Sequence, residues 1–123
     1  MILVVEDDPS IQTIVGDALA DGGFEVEIAP SGVAALTLLQ GNKGQYRALV
    51  TDINMPGEVD GWAVAKQARE IDPAFPVIYM TGAAADQWAS CGVPHSILLT
   101  KPFAPAQLVT AVSQLLNSAT PAP

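Results

Sequence analysis

The stretch "ILVVEDDPSIQTIV", residues 2–15, decides the fold. Its first four residues are a continuous apolar run, mostly β-branched, the pattern of a strand buried on both faces. Asp8 can cap a helix with Pro9 at its first position. Ile11, Ile14, Val15, Ala18 and Leu19 then recur at helical spacing. A two-face-buried strand feeding directly into an amphipathic helix is half of a βαβ unit, and the rest of the chain repeats the pattern.

Gly22-Gly23 stops the first helix. "FEVEIA", 24–29, alternates as a strand nearer an edge, and Ser31 can cap a second helix carrying Ala34, Ala35, Leu38 and Leu39. After a polar break over 41–44, "YRALVT", 46–51, reads as the third strand. Asp60 can cap a third helix through Ile71, which Asp72-Pro73 ends. "PVIYMT", 76–81, is the fourth strand, 83–90 a weaker helix, "SILLT", 96–100, the fifth strand, and about 105–117 a last helix. The tail "SATPAP" carries nothing to order it. Five strands alternating with five helices imply a parallel α/β sheet with right-handed crossovers.

The bulk numbers agree and exclude much else. A chain of 123 residues, 50% hydrophobic and 15% charged, is one globular domain. No apolar run approaches the ~20 residues of a membrane span, and the N-terminus lacks the basic start and cleavage site of a secretory signal. A net charge of −8, with five scattered basic residues, leaves little to neutralise nucleic-acid phosphates. Cys91 is the single cysteine, so no intrachain disulfide is available, which fits a cytoplasmic protein.

In open parallel sheets, ligands sit beyond the carboxyl ends of the strands. Glu6-Asp7-Asp8, Asp52, Thr81 and Thr100-Lys101-Pro102 all stand at such ends and so share one rim. Carboxylates at this density repel: two unit charges about 4 Å apart cost roughly 4 kcal/mol at an effective dielectric near 20. A hard cation such as Mg²⁺ relieves that, and Glu6, Asp7 and Asp52 supply oxygens, with no His or Cys nearby to favour zinc. A metal beside Asp52 points to phosphoryl chemistry with a carboxylate nucleophile.

"ILVVEDDP", "LVTDINMP" followed by Asp60-Gly61, "VIYMTG" and "LLTKPF" occur in that order, each at a strand end. Together they resemble the receiver domain of bacterial response regulators over nearly the whole chain. The resemblance implies a flavodoxin-like (βα)5 three-layer sandwich with strand order 2-1-3-4-5 over residues 1–118. It implies Asp52 as phosphoacceptor, Glu6 and Asp7 with the backbone carbonyl of Asn54 as holders of Mg²⁺, Thr81 as the hydroxyl that bonds the phosphoryl group, and Lys101 as the cation contacting a phosphoryl oxygen. It also implies a cis bond before Pro102, and a phosphohistidine donor on a histidine kinase or histidine phosphotransfer protein. In this family the edge of the first helix, here Ile11 and Ile14, meets the donor's helix bundle.

The chain departs from the family at Leu98, three residues before the lysine, where an aromatic is usual; Tyr79 and Trp88 are the nearby candidates to replace it. The loop "NMPGEVDG" is a residue longer than the commonest form. The chain is expected to be a stand-alone receiver or one excised from a hybrid kinase, acting as a monomer or weak dimer on a further protein. Three rivals compete. Aspartate-nucleophile phosphohydrolases use the same strand-end groups but carry a second acid two residues after the nucleophile, where this chain has Asn54. A flavodoxin-type cofactor binder needs a phosphate loop after the first strand, where this chain has acids. A degenerate receiver used only as an interaction module would have no need of the full set of acids. His95 is expected to be a plain surface histidine, Cys91 a semi-buried hydrophobe, and Trp62 a packing residue between helix and sheet.

Overall fold

The computed structural model describes residues 1–41, 44–82 and 87–118. The elements are β1 (Ile2–Val5), α1 (Pro9–Asp21), β2 (Val26–Ala29), α2 (Gly32–Gly41), β3 (Ala48–Asp52), α3 (Gly61–Ile71), β4 (Val77–Thr81), α4 (Trp88–Cys91), β5 (Ile97–Thr100) and α5 (Pro105–Ser118). All strand pairs are parallel, in the order β2-β1-β3-β4-β5. The expected α/β architecture and strand order are therefore those observed.

The sheet divides the apolar residues between two layers by strand alternation. Leu3, Val5, Leu49, Val77 and Tyr79 face α2 and α3, where Ala35, Leu39, Trp62, Val64, Ala65 and Ala68 complete one core. Ile2, Val4, Ala48, Val50, Ile78 and Met80 face α1 and α5, where Val15, Leu19, Leu108, Ala111 and Val112 complete the other. Each fully buried Leu or Ile of this kind stabilises by about 1.5–3 kcal/mol relative to exposure. The three central strands are wholly buried and β2, at an edge, is only partly so. That gradient is the reason the sequence of β2 alternates and those of β1, β3 and β4 do not.

The helix starts follow from their caps. The Asp8 carboxylate accepts from the Ser10 N–H at 2.9 Å, with Pro9 as the first helical residue. The Ser31 hydroxyl accepts from Ala34 N–H at 3.1 Å, and Asp60 from Ala63 N–H at 3.0 Å. Each cap satisfies a donor that has no partner within its helix.

The strands are shorter at their entrances than the apolar runs suggest. Ile2 pairs with Val26, so Phe24 and Glu25 precede the ladder, and Tyr46 and Arg47 precede β3. At its exit β3 is longer: Asp52 is its last residue rather than the first beyond it, paired with Met80. The helix expected over 83–90 begins at residues outside the described ones; within them, α4 is a single turn. The tail, 119–123, and two residues of the 41–44 break also lie outside. Among the described residues, no helix is long and apolar enough to cross a membrane.

Candidate functional site

The register brings the strand ends together. Val5 pairs with Thr51, so Glu6 lies beside Asp52 one step further on, and Thr81 pairs with Thr100, next to Lys101. The ladder continues past β5, since Lys101 N–H donates to the Thr81 carbonyl at 2.7 Å. Lys101 Nζ lies 2.8 Å from Glu6 Oε1 and 3.5 Å from Asp52 Oδ2. Ligand oxygens of Glu6, Asp7 and Asp52 lie within 4.8 Å of one another. Glu6 and Thr81 are fully buried, Asp52 is nearly so, and Asp7 is exposed at the mouth. Glu6, Asp7, Asp52 and Lys101 are thus brought together in one place. The Lys101–Pro102 bond is cis, as the resemblance implies.

Glu6 is the most constrained member. Its Oε2 accepts from the backbone N–H of Asp7 at 3.0 Å and of Asp8 at 3.3 Å, while Gln12 Nε2 donates to its carbonyl at 2.7 Å. Asp52 Oδ1 accepts from the Ile53 N–H at 2.8 Å, and the Thr51 hydroxyl donates to the Asp52 carbonyl at 2.8 Å. Asp52 Oδ2 faces Lys101. Asn54 is exposed between two buried side chains, Ile53 and Met55, which fix the peptide it carries.

The charges do not balance. Burial is the first cause pushing the Glu6 carboxyl above its ordinary 4.5, and Asp52 adds to it, against the hydrogen bond and charge of Lys101 and the Asp8 N–H. Burial pulls Lys101 down, yet the hydrogen bond to Glu6 and the charges of Asp52 and Glu6 outweigh it, so its ammonium is held above 10.5. Acid and base shift the same way: both keep their protons longer than when free. One ammonium faces three carboxylates, and a hard cation is what such an oxygen set accepts. Asp7 and Asp52 have lone pairs open to it. The Glu6 carboxylate already holds hydrogen bonds from Asp7, Asp8 and Lys101, which leaves it less free to serve as a direct ligand.

The other candidates fall as follows. Ile14 is 53% exposed on α1, and Ile11, Ile14, Val15, Lys101, Pro102 and Phe103 line a cavity of about 330 Å³ beside the site. Tyr79 is fully buried directly opposite Leu98, its ring 4.8 Å from that of Trp62, and its hydroxyl accepts from the Val93 N–H at 3.1 Å. Trp88 is on the surface, 37% exposed, with its indole N–H bonded to the Ser96 hydroxyl at 3.0 Å. His95 is an exposed loop residue with φ 59°, and Cys91 is half-buried against the core. Sequence reasoning missed Gln12 and Thr51 as supports of Glu6 and Asp52, because nothing but the fold says what those polar groups touch.

Residues 2–113 match the model of the response regulator receiver domain. The chain belongs to this family. It is 34% identical over 120 residues to the response regulator receiver protein CpdR of Brucella abortus, covering 96% of this chain and 98% of that protein. It is 32% identical over 122 residues to the response regulator MprA of a Mycobacterium species, covering 98% of this chain but 52% of the relative, so it spans about half that protein's length. A solved response regulator receiver protein from Sinorhizobium medicae superposes with a TM-score of 0.94 at 46% identity, over 97% of this chain and 95% of that one.

Proposed function

We propose that this receiver accepts a phosphoryl group on Asp52 from the phosphohistidine of a histidine kinase or histidine phosphotransfer protein, and passes the signal to a protein partner. The observation that carries the reading is the pairing of buried Glu6 and Asp52 around one lysine, with Asp7 at the mouth. An Asp52 carboxylate oxygen attacks phosphorus; the phosphorus–nitrogen bond breaks, and its electron pair returns to the donor imidazole. The product is an acyl phosphate, which water later cleaves to inorganic phosphate and free carboxylate. Asp7, Asp52 and the Asn54 carbonyl, with Glu6 in support, would hold Mg²⁺, which would neutralise charge on the phosphoryl oxygens. Lys101 turns from Asp52 to a phosphoryl oxygen with little movement, since it already stands 3.5 Å from Oδ2. The Thr81 hydroxyl bonds another, and its displacement is the signal.

The apolar cavity at Ile11, Ile14 and Phe103 opens beside Lys101 and suits the helix that carries the donor histidine. Asn54 stands two residues after Asp52, where aspartate-nucleophile phosphohydrolases carry their acid/base, so turnover of a separate phosphate ester is not this site's task. The protein acts in the cytoplasm, as a monomer or weak dimer, and its acidity turns it from nucleic acid to protein partners.

Incubation with Mg²⁺ and acetyl phosphate should add one phosphoryl group by intact mass, and beryllofluoride should shift the amide spectrum. Asp52→Asn should abolish both. An adduct that persists in that variant overturns the assignment.

A further inference from the structure

We propose that Gly61 and Gly32 are positioning residues for phosphoryl acceptance, holding the two ends of the loop 53–60 at a spacing that a side chain at either would break. The proposal rests on the reading of Asp52 as the acceptor. A Cβ built on Gly61 would lie 2.1 Å from the Asp52 carbonyl oxygen and 2.8 Å from Ile53 Cα. Ordinary contact starts near 3.4 Å, so α3 or the Asp52 peptide would have to move by more than an ångström. The Gly61 N–H also donates to the Ile53 carbonyl at 3.0 Å, so the start of α3 is tied to the peptide that follows the acceptor's own. At the other contact, a Cβ on Gly32 would meet the Val59 carbonyl oxygen at 2.3 Å and Val59 Cβ at 2.8 Å. The first residue of α2 thereby seats the far limb of the loop.

Neither glycine has a positive φ, so it is space rather than backbone freedom that excludes a side chain. Gly57, in the same loop, is the reverse: φ is 105° and nothing lies within 4 Å of a Cβ there. One loop therefore uses one glycine to turn and two to be gripped. Between the grips lie Asn54, whose carbonyl is the expected metal ligand, and Met55, buried in the core. A shift at Gly61 moves Asp52 against Glu6, Asp7 and Lys101. A shift at Val59 reaches Asn54 only through the intervening loop and should act more weakly.

The test compares Gly61→Ala and Gly32→Ala with Gly16→Ala, whose Cβ meets nothing closer than 4.0 Å. Three quantities are read on each: Mg²⁺ affinity by titration of amide shifts, the rate of phosphorylation by acetyl phosphate, and thermal midpoint. Gly61→Ala should displace the Asp52 and Ile53 amide resonances and slow phosphorylation at least tenfold in protein that is still folded. Gly32→Ala should weaken Mg²⁺ several-fold. Gly16→Ala should leave rate and affinity unchanged. A role in stability alone would lower the midpoint without moving affinity or rate in the folded fraction, and that result overturns the proposal. If Gly61→Ala does not fold, Gly32→Ala decides: wild-type Mg²⁺ affinity there overturns it. If the wild type takes no phosphoryl group, the proposed function fails, and the acceptance role of the two glycines fails with it, whereas failure of the glycine effects alone leaves Asp52 as acceptor.

Discussion

Lys101 is the one cation among the residues of the assembled rim, and most of the site's electrostatics turns on it. Removing it leaves Glu6 buried with its Oε1 unpaired and Asp52 unopposed. Breaking a buried pair is strongly destabilising, but less so here because the lysine side chain is 22% exposed. Lys101→Ala should destabilise by about 2 kcal/mol. Mg²⁺ should raise the thermal midpoint of that variant more than that of the wild type, since the ion replaces missing positive charge; an equal rise in both would contradict this account. Tyr79 makes a second prediction. Burial is the largest influence on its phenol and, against the Val93 N–H and Arg69, holds it above the ordinary 10.0. A group whose folded value is raised contributes stability that is full below its unfolded value and lost as pH rises through the folded one. Urea stability should therefore fall above pH 10.0, and fall less steeply in Tyr79→Phe. Lys101, raised above 10.5, loses its share in the same alkaline range in both proteins.

At the scale of elements, strand and helix identity was legible because burial on two faces, burial on one and helical amphipathicity leave different apolar patterns. Their ends were less so. A strand ends where its neighbour's ladder ends, and the ladder of β1 does not reach back to Phe24 or Tyr46. The caps at Asp8, Ser31 and Asp60 were readable because a cap is local, a matter of neighbouring residues. The grips at Gly32 and Gly61 were not, because each depends on a backbone atom outside its own helix: Gly32 opens α2, whereas the Val59 that it meets lies beyond β3. The α1 helix carries a correctable weakness. Gly16 sits in its interior with room for a methyl group. Gly16→Ala should stabilise by about 0.5–1 kcal/mol in urea titrations. No gain would mean that the space beside Ile28 is less open than it looks.

Across the whole molecule, the rim groups were foreseeable because parallel topology sends every strand end to one side. The missing aromatic at Leu98 was legible too, but the choice between Tyr79 and Trp88 as its neighbour was not. In place of an aromatic on β5, Leu98 faces Tyr79 of β4, whose hydroxyl is tied to Val93 and whose ring lies against Trp62. Strand pairing across the sheet decides which neighbour fills that space, and one sequence does not reveal it.

The Lys101–Glu6 contact joins residues 95 positions apart. On the ribosome, Glu6, Asp7 and Asp52 emerge well before Lys101; at about 5–20 residues per second the interval after Asp52 lasts roughly 3–10 s. Throughout it the acids have no lysine partner, and burying them dry would be costly. Closure of the rim must wait for the residue that follows the fifth strand, so a chain truncated before it leaves the carboxylates of the rim without that ammonium. The ion pair therefore forms only after the chain has run through β5 and brought Lys101 back to the end of β1.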